Sequence, residues 1–172
     1  MTKAKKLLTT ASAVVAAGVV GAVAANAATP AAGAKDASLR STRHLTIAAA
    51  TKAAQATLDA AVKEGQAVSV AVVDRDGNTL VTLRGDGAGP QSYASAEKKA
   101  FTAVSWNAPT SALVDRLAKT PNLKDIPGTL FLPGGAPVQA KGAPVAAIGV
   151  AGAPSGDLDE KFARAGVAAL GG

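Results

Sequence analysis

The chain of 172 residues contains no cysteine, one histidine, one methionine, one tyrosine, one tryptophan and three phenylalanines. Without thiols there is no disulfide, no thiolate-held metal and no thiol nucleophile. A Ser-His-Asp device would have to use His44, which closes a small, polar, aperiodic stretch where nothing locks an imidazole in place. So few aromatics are poor material for a base-stacking platform, and the basic residues are scattered rather than clustered. Nucleic acid is therefore disfavoured as a partner. The formal charge of +6 does not argue otherwise. Lys3, Lys5 and Lys6 supply half of it, and with them set aside 15 Lys and Arg face 12 Asp and Glu.

Those three lysines, the apolar run over residues 7–25 and Ala25-Asn26-Ala27 have the layout of a signal peptide at residues 1–27. The competing reading is a membrane anchor, since no charge occurs over residues 7–34. The run is rich in Ala, Gly and Thr, which insert weakly, and it ends in small residues, which favours cleavage. No later apolar stretch is free of Gly, Pro or charge for long enough to span a bilayer. The expected product is secreted, extracellular or held at the cell wall, with no stable membrane insertion. Residues 28–44 read as a disordered tether. Residues 45–172 read as one domain, long enough to build a core without disulfides.

The domain is organised around residues 67–84, AVSVAVVDRDGNTLVTLR. Two β-branched runs flank Asp76-Gly77, a strong hairpin signal because a tight primed turn needs positive φ. The first run is almost wholly apolar and suits a strand covered on both faces; the second mixes Leu and Val with Thr and suits a partly wetted one. Before the hairpin, Thr46 caps a helix running to about Glu64, with Ile47, Ala50, Ala54, Leu58, Ala61 and Val62 at helical spacing. Beyond it, residues 92–106 and 110–119 read as helices and residues 129–132 as a short strand. Residues 136–140 and 144–151 follow as two more strands, and a last helix opens at Ser155. The order α-β-β-α-α-β-β-β-α, with hairpin-linked strands, implies an α+β fold: an antiparallel sheet with helices to one side.

Several groups could carry chemistry. His44 is a solvated imidazole or a weak metal ligand. Asp74 and Asp76 flank Arg75 at the hairpin tip; paired carboxylates can act as acid and base or hold a hard cation, but turn chemistry accounts for them. Asp157, Asp159 and Glu160 crowd a helix N-terminus, where capping explains them as well as surface iron or calcium would. Glu97, Lys98 and Lys99 read as an outward face. Residues 85–90, GDGAGP, lack the Lys-Ser/Thr of a phosphate loop and read as a connection. Trp106 is expected in the core or at a subunit contact, and Leu130, Phe131 and Leu132 either fill the core or line a ligand slot.

Three segments, VAVVDRDGNTLVTLRGDGAGPQS, SAEKKAFTAVSWNAPTSAL and IPGTLFLPGGAPVQAKGAPVAAIGVAGAPSGDLDEKFA, resemble the GlcG/HbpS family of haem-binding proteins. The likeness covers residues 45–170, and the leader with the Trp106 and Pro127-Gly128-Thr129 segments is similar to its secreted branch. The resemblance implies a profilin-like domain with a five-stranded antiparallel sheet, assembled as a homo-octamer. It also implies binding of haem (heme b), handling of iron ions when haem breaks down, and partnership with the extracellular part of a redox-sensing membrane histidine kinase. On that branch haem would lie near Ile126-Pro127-Gly128-Thr129 with Thr129 nearest the iron; the residues themselves add an expected hydrophobic slot at Leu130 and Phe131, with Lys124 or a second subunit's Arg116 to pair with the propionates. The branch also suggests iron on the helix bearing Glu97, yet the partner carboxylate expected one turn earlier is replaced by Ala94. Haem iron is normally held by His, Met, Cys or Tyr. His44 and Tyr93, the only imidazole and phenol here, lie outside the proposed segment, so a weak oxygen donor and a loosely held haem are expected. The reading is a binding protein with no catalytic residue. The readings from other classes are a subunit accompanying an enzyme, as relatives accompany glycolate oxidation or corrinoid handling, and an oligomeric scaffold.

Overall fold

The computed structural model describes residues 33–171; the expected leader and residues 28–32 of the expected tether lie outside them. The chain divides into a unit at Met1–Arg40 and a unit at Ser41–Gly172. In the first, among the described residues, one 3-10 turn forms at Asp36–Ser38. The second carries α1 (Ile47–Lys63), β1 (Ser69–Asp74), β2 (Thr79–Arg84), α2 (Pro90–Trp106), α3 (Thr110–Lys119), a 3-10 turn at Pro121–Asp125, β3 (Gly135–Ala140), β4 (Ala143–Ala151) and α4 (Gly156–Ala168). No described helix is long and apolar enough to cross a membrane.

Local chemistry sets the helix ends. The Thr46 hydroxyl accepts the Ala49 amide at 3.2 Å and starts α1, and the Ser155 hydroxyl does the same for Leu158 and starts α4. Helix α2 begins two residues earlier than expected because Pro90 serves as its first residue, where a missing amide costs nothing. It ends at Asn107, which takes the left-handed conformation (φ 50°).

The sheet order is β2-β1-β4-β3, all neighbours antiparallel. It has four strands among the described residues, not the expected five, and the order is α-β-β-α-α-β-β-α. The strand expected at residues 129–132 does not form. The Thr129 amide and hydroxyl both donate to the Ile126 carbonyl, at 3.3 and 2.7 Å, and the Leu130 amide donates to Thr102 Oγ1 of α2 at 2.8 Å. With the Thr129 and Leu130 amides taken by a turn and by a helix side chain, the start of this segment is not free to pair with a strand.

Helices cover both faces of the sheet, not one. Val68, Val70 and Val72 at one end, with Ala146, Ile148 and Val150 of β4, pack on α1 and α4 through Ala50, Ala53, Ala54, Ala61, Phe162 and Ala163. The alternate residues face α2: Ala71 and Ala151 meet Ala96, while Val73 and Ala147 meet Ala100, Ala103 and Val104. The period of two thus sorts large residues to one face and small ones to the other. On α1 the buried stripe is alanine and Thr57, and Ile47 and Val62, expected inward, are 58% and 63% exposed.

Lys99, expected outward, is buried. Its ammonium donates to Asp159 Oδ2 at 2.7 Å and to the Val150 carbonyl at 3.0 Å. Asp159 and Glu160, expected as surface caps, are also buried: Asp159 accepts the Ala153 amide, and Glu160 accepts the Ser111 amide and hydroxyl and the Arg164 guanidinium. Of that acidic trio only Asp157 is exposed.

Two outcomes are expected. A Cβ on Gly149 would run into the Ala96 carbonyl and stand 2.5 Å from the Ala100 amide nitrogen, so Gly149→Ala should cost about 2–4 kcal/mol in urea unfolding; a loss under about 1 kcal/mol would refute the close approach. Lys99→Met leaves Asp159 without its counter-ion and should cost about 3–5 kcal/mol. Adding Asp159→Asn should recover part of that loss, and no recovery would mean that the ion pair is not its source.

Candidate functional site

The tip of the β1–β2 hairpin is clamped by Asp74. Its Oδ1 accepts the amides of Asp76 and Asn78, each at 2.9 Å, and the Asn78 side-chain amide reaches both carboxylate oxygens. Burial alone would raise the Asp74 pKa, but the Asn78 and Asp76 bonds and the charge of nearby His44 outweigh it and hold the carboxyl below its ordinary value. Gly77, at φ 89°, closes the turn. A Cβ there would come within 2.9 Å of the Phe101 ring, so the tip lies directly on α2. Gly128, at φ 81°, approaches the same ring from the other side, where a Cβ would stand at 3.6 Å.

Between these turns runs an open groove of about 200 Å³, lined by Val73, Gly77, Thr79, Glu97, Lys98, Phe101 and Gly128. Its floor is apolar. Glu97 takes a long bond from the Thr82 hydroxyl at 3.4 Å, and Lys98 is exposed at the rim. No His, Met or Tyr lines it. Two larger cavities, of about 460 Å³ beside Pro137, Gln139 and Arg164 and about 410 Å³ beside Leu58, Val62 and Arg84, include none of the residues named from the sequence for a cofactor or a metal.

Of the residues named for a cofactor, Gly128 lines the groove and Thr129 follows it, half-buried. Pro127 is exposed and Leu130 half-buried. Phe131 is buried and meets Trp106 edge to face, with ring centres 5.1 Å apart. Lys124, on the 3-10 turn, and Arg116, on α3, are exposed and line no part of the groove. The two metal candidates fall in different places. Glu97 is in the groove, whereas His44 lies against Asp74 and Asp76, with ring nitrogen to carboxylate distances of 3.8 and 3.5 Å.

Sequence reasoning missed Phe101 and Lys98 as groove residues and missed the pairing of His44 with the hairpin tip. The alternation of β1 could have separated Val73 from Asp74, but nothing local links residue 101 to residue 128 or residue 44 to residue 74. Those links are tertiary.

An antiparallel sheet between helical layers, with an apolar groove beside its hairpin tip, defines an α+β domain. Comparison with known proteins narrows the class. The chain belongs to the family described as haem degrading protein HbpS-like, which matches residues 45–168. It is 72% identical to the crystal structure of a double mutant of Streptomyces reticuli HbpS, covering 85% of this chain and 99% of that one at a TM-score of 0.82. A second crystal structure of HbpS is 73% identical over 82% of this chain and 100% of that one, with a TM-score of 0.81. A crystal structure of a PduOC:heme complex is 25% identical over 74% of this chain and 95% of that one, with a TM-score of 0.68. No curated protein matches the chain significantly.

Because the folded pKa of Asp74 is lowered, its ionised form stabilises the turn above the ordinary carboxylate range near 3.8, and that stability is lost as pH falls through the folded value. Asp74→Ala should cost about 1–3 kcal/mol at neutral pH. The gap between wild type and variant in urea should close as pH drops below about 4. A gap that stays constant down to the acid limit would mean that the carboxylate charge is not what holds the tip.

Proposed function

We propose that this protein is exported and binds haem in the groove over Phe101, acting as the extracellular accessory of a redox-sensing membrane histidine kinase. The observation that carries this reading is the groove itself, an apolar slot between two glycine turns, next to Thr129 and without a strong iron donor. The donor set fits a weakly held porphyrin. Val73 and Phe101 would lie against the macrocycle, Gly128 would let its edge approach the backbone, and Lys98 would face a propionate. The Thr129 hydroxyl, which donates to the Ile126 carbonyl, keeps lone pairs free as a weak oxygen donor. Haem, when bound, supplies a redox-active iron. Held without imidazole, thiolate or thioether, it is easily transferred and open to oxidants. That state agrees with the breakdown named in the family's description and with iron handling as part of the role.

The groove's 200 Å³ is below the roughly 300–1,000 Å³ of a complete ligand pocket. One chain therefore holds an edge of the ring, and a second copy closes the site. The exposed Arg116 and Lys124 are available to do so, which supports a homo-oligomer, and the octamer of the resembled branch is the proposed state.

Haem titration of the leader-free protein tests the reading. A weak, high-spin Soret band is expected. Phe101→Ala and Lys98→Glu should each weaken binding about tenfold, close to 1.4 kcal/mol, and Thr129→Ala should shift the spectrum. His44→Ala should change neither. A tight low-spin bis-histidine spectrum, or affinity unchanged in both groove variants, would overturn it.

A further inference from the structure

On the opposite face of the same hairpin, three ligand-bearing side chains converge. His44 Nδ1 stands 3.8 Å from Asp74 Oδ2, and its Nε2 stands 3.5 Å from Asp76 Oδ2. One donor atom from each residue can be chosen so that all lie within 4.8 Å of one another. Donors bound about 2.1 Å from a common ion sit about 3.0–3.5 Å apart, so sharing one ion requires a single ring nitrogen and both carboxylates to draw closer together. The other polar contact is Thr42 Oγ1, 2.9 Å from His44 Nε2.

Two further observations separate this cluster from an ordinary turn. Among the described residues neither carboxylate is paired with a lysine or arginine; the sole imidazole is their only positive or potentially positive neighbour within 4 Å. Asp74 is also oriented in advance. Its side chain is 8% exposed, and the bonds to Oδ1 fix its plane while Oδ2 carries one 3.1 Å bond and faces the ring. A ligand held by its own hydrogen-bond partners is what a metal centre needs.

We propose that His44, Asp74 and Asp76 form a binding site for a divalent first-row transition metal, with one nitrogen and two carboxylate oxygens on one side of the ion and water on the other. The mixed donor set selects the class: an imidazole favours iron, cobalt, nickel, copper or zinc over magnesium or calcium, which prefer oxygen alone. The bound ion clips the segment just before α1 to the hairpin tip. The inference does not rest on haem binding and is read without haem.

The test uses Co²⁺, whose visible d–d bands report nitrogen and oxygen ligation. Metal-free protein should take up one Co²⁺ per chain, its melting temperature should rise on binding, and equimolar Mg²⁺ should not compete. His44→Ala and Asp76→Asn alter exposed residues and should keep the metal-free melting temperature. Each should weaken Co²⁺ binding at least tenfold and abolish the bands, while Asp157→Asn, on another acidic surface, should bind as the parent does. Parental binding in both cluster variants, or equal loss in Asp157→Asn, would overturn the site.

Discussion

The close contact between α2 and the two central strands governs the rest of the molecule. Ala71, Ala147, Gly149 and Ala151 turn small faces toward Ala96 and Ala100. A side chain at Gly149 would collide with helix backbone, so α2 lies as near to the sheet as backbone allows. That proximity places Phe101 under the hairpin tip, where Gly77 and Gly128 can both reach its ring. The groove is a by-product of this packing. Larger residues on the α2 face would lift the helix and separate the turns from the ring they share. The opposite face has no such restriction and takes valine, isoleucine and phenylalanine against the alanine stripe of α1.

Polar bonds then fix the surrounding elements. Lys99 joins α2 to α4 and to the end of β4, and Glu160 joins α4 to the start of α3. The two buried acids respond to pH in opposite senses. Burial pushes the Asp159 carboxyl up, more than Lys99 and the loop amides pull it down, so acid relieves a strain there. Burial also raises Glu160, but the Ser111 bonds and Arg164 outweigh it and hold the carboxyl low. Stability from Glu160 is therefore complete above the ordinary carboxylate range and lost as pH falls through its folded value. Acid sensitivity belongs to Glu160 and Asp74, and Asp159 offsets part of it.

Much of this order was legible from local chemistry. Helices α1, α3 and α4, the Thr46 and Ser155 caps, the Asp76-Gly77 hairpin and the paired strands β3 and β4 all follow from period, capping and turn residues, which act within a few positions. The failures lie where a distant partner overrides the local pattern. Leu130-Phe131-Leu132 has strand composition, but the Thr102 hydroxyl takes the Leu130 amide and Trp106 takes the Phe131 ring. Lys99 sits in a charged run that looks solvated, and only its partner sixty positions later explains its burial. The groove was partly named through Gly128 and Glu97, while Phe101 stayed unmarked because nothing nearby in sequence announces the two turns that meet it.

One turn serves both candidate sites because strand residues alternate. Val73 points to the α2 face and lines the groove; Asp74, the next residue, points to the α1 face and meets His44. Gly77 and Asp76 divide in the same way, one against Phe101 and the other beside the imidazole. The Asp74 carboxylate that accepts the Asp76 and Asn78 amides thus holds the same turn whose Gly77 lies on the Phe101 ring.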